Sequence, residues 1–195
     1  MATVDVISPF QVLTRPLTLK PKDRKPPALG PVVGIAAVRA SPASGEADLP
    51  TIANTAGLRD KDKDGLLEQD TVRSNMWLGS WTADLRLEFD LSEAGPLAAI
   101  EVWNFNGNWQ TTNGLRKADI AVSPDGTSWQ TVVRGAEFAE GDGIADYDEP
   151  TVLKLNGVTA RKVRLENLVP WSNSGQVGLS KVIFHGPAGA ASAKR

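Results

Sequence analysis

Residues 84–91, DLRLEFDL, alternate strictly: Leu85, Leu87, Phe89 and Leu91 fall on one side, Asp84, Arg86, Glu88 and Asp90 on the other. A two-residue period places one face of a strand in a core and the other in water. Strand signals recur along the chain. VVGIAAVRAS (32–41) reads as a strand, and LAAIEVWNF (97–105), apolar on both sides, suits a central one. ADIAVSPDGTSWQTVV (118–133) reads as a hairpin turning at Pro-Asp-Gly. TVLKLNGVTARKVRLENL (151–168) supplies two strands and QVGLSKVIFHG (176–186) the last. No stretch of about a dozen residues keeps a helical period. Short strands punctuated by Gly, Pro, Asn and Asp predict an all-β sandwich or jelly roll.

The ends read differently. FQVLTRPLTL (10–19) is a candidate strand, and KPKDRKPPALGP (20–31) is an extended linker rich in Pro and Lys. GPAGAASAKR (186–195) has too little apolar content to pack. The organisation expected is an N-terminal strand and linker over 1–31, a β-sandwich domain over 32–187 and a flexible tail over 188–195. Residues 1–31 could dock on a neighbouring domain.

Composition removes several function classes. Lys and Arg total 21 against 23 Asp and Glu, a balance that argues against a nucleic-acid binder. No run of about 18 apolar residues can span a membrane. The start, MATVDVISPF, lacks a secretory leader's basic and apolar regions. If the protein is exported, its signal has been removed or this is a piece of a longer chain. Without cysteine there is no disulfide and no thiolate metal site, and the single histidine, His185, excludes a multi-histidine zinc site.

DKDKDGLLEQD (60–70) concentrates acid. Asp60, Asp62 and Asp64 followed by Gly65 match the first half of an EF-hand loop, in which alternate carboxylates converge and the carbonyl of Leu66 comes next. The twelfth position holds Thr71, so Asp70 is one residue short of the usual closing ligand. No helical pattern flanks the loop. An oxygen-only set favours Ca²⁺ over zinc. The competing reading is a solvated turn in which Lys61 and Lys63 partly neutralise the aspartates.

Six tryptophans stand against one tyrosine. Trp103 sits in the most apolar strand and reads as core, while Trp129 follows the hairpin turn and packs it onto a sheet. Trp81 (GSWTAD), Trp109 (NFNGNWQTTNG) and Trp171 (VPWSNSG) lie among small polar residues and read as loop positions. An indole among amides suits a sugar: the ring covers its C–H face, and Asn106, Asn108, Asn113, Asn173 and Arg116 would bond its hydroxyls. Alternatively, these rings close the end of the barrel against its own loops.

The succession DTVRSNMWLGSW, LRLEFDLSEAGPLAAIEVWNFN, GLRKADIAVSPDGTSWQTV, GVTARKVRLENL and GLSKVIFHG, over roughly 32–187, resembles the discoidin or coagulation factor V/VIII type C domains, including family 32 carbohydrate-binding modules. The MWL, IEVWNFN and VSPDGTSW pieces look most like versions found in bacterial secreted polysaccharide-acting proteins. The resemblance implies a galactose-binding-like jelly roll of two antiparallel sheets, with ligand recognition by loops at one end and no catalysis. It also implies a structural Ca²⁺ just before the strand carrying Trp77, with Asp70 and Asn75 in its ligand region. The chain departs from the pattern at Lys181, where the family often has a metal-binding glutamate, so the aspartates at 60, 62 and 64 could have taken over the cation. The function implied is a calcium-stabilised module that attaches a larger extracellular or cell-surface protein to a polysaccharide. A protein–protein assembly module on the same fold is the alternative. A glycoside hydrolase would need a cleft with paired carboxylates.

Overall fold

The computed structural model describes residues 28–189. The expectations for 1–27 and 190–195 lie outside the described residues. Ten strands follow in chain order: β1 (Val32–Val33), β2 (Ile35–Ser41), β3 (Leu58–Arg59), β4 (Glu68–Gln69), β5 (Trp77–Ser80), β6 (Arg86–Asn104), β7 (Leu115–Ser123), β8 (Gln130–Glu137), β9 (Thr151–Pro170) and β10 (Gln176–His185). All described pairings between strands are antiparallel.

β6 and β9 are long because each passes through both layers of a sandwich. The first part of β6 pairs with β2 on one side and with residues 162–165 of β9 on the other. From Ala99 onward it pairs with β10 and with the start of β9. The register slips between Asp90 and Gly95 and again between Leu97 and Ala99. β9 turns at Asn156 and Gly157, whose φ angles are 54° and 76°. One layer is therefore β2-β6-β9-β7-β8, and the other gathers β1, β5, β10 and the remaining halves of β6 and β9. This is the expected galactose-binding-like jelly roll.

Strand alternation builds the core. Leu87, Phe89 and Leu91 point inward from β6, and Ile120, Val122, Val163 and Leu165 meet them from β7 and β9. Phe89 touches Phe184 of β10 edge to face, at 5.5 Å and 76°, which joins the two layers directly. Burying each such ring contributes roughly 2–3 kcal/mol. The hairpin is closed at Asp125, whose carboxylate accepts from the backbone N–H of Thr127 (2.8 Å) and Ser128 (2.7 Å). Those bonds hold its pKa far below the usual carboxylate range.

The outer face of the first layer carries a ladder of charge. Lys162 Nζ donates to Glu88 (3.0 Å) and lies 3.2 Å from Asp90. Arg164 donates to Glu88 (3.1 Å) and covers the ring of Trp129, 3.7 Å from its centre. Arg39 pairs with Asp90. Partial burial works against ionised Glu88 and Asp90, but the hydrogen bonds from Lys162, Arg164 and Arg39 outweigh it and hold both below ordinary carboxylate values. Their stabilisation is thus complete above the unfolded-state values near pH 4 and disappears as pH falls through the lower folded values. Urea midpoints measured from pH 6 to pH 2 should fall most steeply below pH 4. Lys162→Met should flatten that fall; an unchanged slope would show that the ladder contributes nothing.

Candidate functional site

One end of the sandwich is built by the loops after β6, β8 and β9. Two asparagines that end β6 and begin its loop hold it together. Asn104 donates to the carbonyls of Leu115 (2.7 Å) and Ala139 (2.6 Å) and accepts from the N–H of Phe105 and Leu115. Asn106 donates to the carbonyl of Ile144 (2.7 Å) and accepts from Gly143 N–H (2.7 Å). Tyr147 anchors the loop between β8 and β9 by packing edge to face on Trp103 at 5.7 Å. Desolvation pushes its phenol further above an already alkaline ordinary value, so the residue is a neutral prop.

These contacts correct part of the expected ligand set. Asn106 is fully buried and serves backbone carbonyls, so it cannot meet a sugar. Asn113, 7% exposed, turns inward, where its Oδ1 accepts from Ser174 Oγ (2.7 Å) and holds the 171–176 loop. Trp81 is half-buried against the core, and its indole N–H donates to the Leu168 carbonyl (2.7 Å). It closes the end of the barrel. The remaining candidates face water: Trp109 is 94% exposed and Trp171 40%, with Asn108, Asn173 and Arg116 exposed as well. Their loops are neighbours, because Trp171 N–H donates to the Gly114 carbonyl (3.0 Å) and Asn113 bonds the loop that follows Trp171.

Trp171 borders an open cleft of about 450 Å³ together with Arg116, Lys117, Glu137, Phe138 and Ala139. Only Trp171 and Arg116 stood out in the sequence. The others arrive through hairpin register, which sets Lys117 opposite Glu137, where the two form a 2.7 Å ion pair. Counting outward from the Pro-Asp-Gly turn would have set Lys117 opposite Gly135, because the register shifts between Ala118 and Ala121 that bring Glu137 there leave no mark in the sequence.

The acidic run divides in two. The carboxylates of Asp60, Asp62 and Asp64 converge, with oxygen atoms within 4.8 Å of one another and all three residues exposed. Gly65 N–H donates to Asp60 (3.2 Å) and Leu66 N–H to Asp64 (2.8 Å), and Gly65 adopts φ 87° to make the turn. Asp70 and Asn75 do not join them. The Asp70 carboxylate accepts from Asn75 Nδ2 (2.8 Å) and Val72 N–H (3.1 Å). The Asn75 carbonyl accepts from the ammonium of Lys181, which also donates to the Thr51 carbonyl (2.9 Å). Lys181 is fully buried. Burial pulls its pKa down to about 8 while the charge of Asp70 pushes it back up, so it is protonated at neutral pH. The metal position that the resemblance placed at Asp70 and Asn75 therefore does not fit this chain: a side-chain cation already fills it.

The F5/8 type C domain model matches residues 54–181. Comparison with the curated proteins returns no match. Among solved structures, a pectin-binding carbohydrate-binding module is similar with a TM-score of 0.52 at 19% identity, over 84% of this chain and 97% of that one. A truncated AlyQ with family 32 carbohydrate-binding and alginate lyase domains is similar with a TM-score of 0.51 at 15% identity, over 84% of this chain and 35% of that one. A family 32 module from Clostridium perfringens, in complex with GalNAc-β-1,3-galactose, gives a TM-score of 0.47 at 16% identity, over 76% of this chain and 93% of that one. The matched segment takes in both layers of the sandwich and most of the loops at its end, and on that match the chain belongs to the F5/8 type C domain family.

Proposed function

We propose that this domain is a non-catalytic glycan-binding module that attaches a larger secreted or surface protein to a polysaccharide. The observation that carries the reading is the pair of exposed indoles, Trp109 and Trp171, on adjacent polar loops. Trp109 also adopts φ 63°, a left-handed conformation that a bulky side chain occupies at a cost of roughly 1–2 kcal/mol. Local packing gives no return for an indole left 94% in water, whereas a stacked sugar ring does. Similarity to carbohydrate-binding modules supports the same class. The cleft beside Trp171 offers one carboxylate, Glu137, already paired with Lys117, where hydrolysis would call for two flanking a bond.

Retention in gels containing soluble polysaccharides tests the reading. Trp109→Gly should leave the melting temperature unchanged or higher, because glycine accepts the left-handed backbone, while weakening retention by about tenfold, the loss of one stacking contact worth roughly 1–1.5 kcal/mol. Full retention by a Trp109→Gly, Trp171→Ala double variant would move the ligand site elsewhere. A flat response to every glycan, with a specific protein co-purifying, would favour an assembly module.

Ca²⁺ belongs to the proposal at Asp60, Asp62 and Asp64, with the Leu66 carbonyl as a further ligand. The convergence of three like charges in an EF-hand-type turn supports it. With an extracellular-type affinity near 10⁻³ M, 10 mM CaCl₂ should stabilise the fold by about 1.4 kcal/mol. That corresponds to a melting shift of roughly 3–6 °C, reversible by chelator. Asp60→Asn with Asp64→Asn should abolish the shift. No shift in the unmodified protein would leave the loop a solvated turn.

A further inference from the structure

We propose that the cleft beside Trp171 recognises the carboxylate of a uronic acid, so that the glycan is an acidic one; this rests on the glycan-binding reading above. The cleft contains two cations, Arg116 and Lys117, and one carboxylate, Glu137. Lys117 is matched to Glu137 at 2.7 Å. Arg116 is exposed, and among the described residues its guanidinium has no hydrogen bond and no ion pair. It is close enough to Glu137 to help hold that carboxyl below its ordinary value, behind the larger effect of Lys117. One cation is therefore left over in a cleft whose wall is an indole.

A guanidinium presents a planar fork of donors that fits a carboxylate with two parallel hydrogen bonds. An adjacent aromatic ring offers a face to the C–H side of a sugar. A uronate ring carries both features in one residue: an apolar face and a carboxylate at its edge. A neutral hexose would use the ring of Trp171 and leave the fork holding hydroxyls. A single unmatched positive charge corresponds to one carboxylate per sugar. The chain as a whole is acidic, with a formal charge of -2, so bulk attraction to a polyanion does not supply this preference. Glu137 limits it, since its own carboxylate occupies Lys117 and repels a second anion.

The test compares polygalacturonate with its fully methyl-esterified form, in which the same backbone has lost its charge, and adds a panel of neutral glycans. Isothermal titration should show the acidic form bound about tenfold more tightly, the size of one charge-assisted hydrogen-bond pair. Arg116→Met should remove the preference for the acidic form, bringing the two affinities together, while the ester, which loses only hydroxyl contacts, weakens much less. Glu137→Gln should strengthen the acidic form, because it frees Lys117. Both positions are exposed, and circular dichroism checks that the variants fold. Equal binding of the two forms with Arg116→Met silent overturns the uronate assignment and leaves the glycan reading intact. Binding to no member of the whole set overturns both.

Discussion

Asn104→Leu should cost at least about 4 kcal/mol, a large share of the roughly 5–15 kcal/mol that keeps a domain folded. Leucine keeps the branching and heavy-atom count of asparagine, so the main loss is hydrogen bonding, with added crowding where its methyl groups meet oxygen and nitrogen atoms now 2.6–2.9 Å away. Asn104 is 1% exposed at the end of β6. Its amide serves the Leu115 and Ala139 carbonyls at 2.7 and 2.6 Å, and its Oδ1 takes the N–H groups of Phe105 and Leu115 at 2.9 and 2.8 Å. Four backbone groups would lose their partner together. A buried orphan costs about 1–3 kcal/mol, and only part of that is recovered by relaxation or by water. Water has little room to replace the side chain: even a methyl added at Gly114 would lie 2.6 Å from Asn104 Oδ1. The same substitution releases Ala139 from β6, and Ala139 lines the cleft. Glycan retention should therefore fall with stability. Asn108→Leu, on the exposed part of the same loop, should change stability by no more than about 0.5 kcal/mol. Urea denaturation of the two variants makes the comparison, and a loss below 1 kcal/mol for Asn104→Leu would mean that water can replace the amide.

The contrast between those two asparagines shows where a linear reading stops. NFNGN closes the strand read over 97–105 and opens the loop after it, and nothing in its own letters separates the three asparagines. Two of them are buried because carbonyls more than thirty residues away, at Ala139 and Ile144, come to meet them. Nothing local marks that. Features that depend on near neighbours were legible: the alternation of Leu85 to Leu91, the turn at Pro-Asp-Gly and the assignment of Trp103 to the core all hold. The difference between Trp103 and Trp109 was legible for the same reason, since one sits among β-branched and apolar residues and the other among amides. Trp81 was not, because its short polar neighbours conceal a contact with the Leu168 carbonyl. The three aspartates were expected to converge, and a turn of five residues brings them together without outside help. Asp70 and Asn75 depend on Lys181, more than a hundred residues further on.

Lys181→Glu should leave the protein unfolded or destabilised by more than about 4 kcal/mol in the presence of chelator. The ammonium of Lys181 is enclosed by the carbonyl oxygens of Thr51 and Asn75, with the charge of Asp70 nearby. It binds the segment between β2 and β5 onto β10, work that a metal ion could perform with the same oxygen atoms. A carboxylate in its place would face two carbonyls with no proton to offer and a second carboxylate with no cation between them. Dissolved Ca²⁺ can supply that cation, since all the surrounding ligands would then be oxygen. Millimolar CaCl₂ should accordingly restore much of the lost melting temperature to Lys181→Glu. To keep the triple-aspartate loop out of the result, the measurement is made with Asp60→Asn and Asp64→Asn in both proteins, so that only the locus around position 181 can respond. Lys181→Met should lose less, about 2 kcal/mol, because removing a desolvated charge offsets part of the cost of two orphaned carbonyls, and it should not respond to Ca²⁺. If Lys181→Glu folds as well as the parent in chelator, the buried ammonium is not what holds this segment. If it is destabilised and Ca²⁺ has no effect, the carbonyls of Thr51 and Asn75 do not form a cation cage.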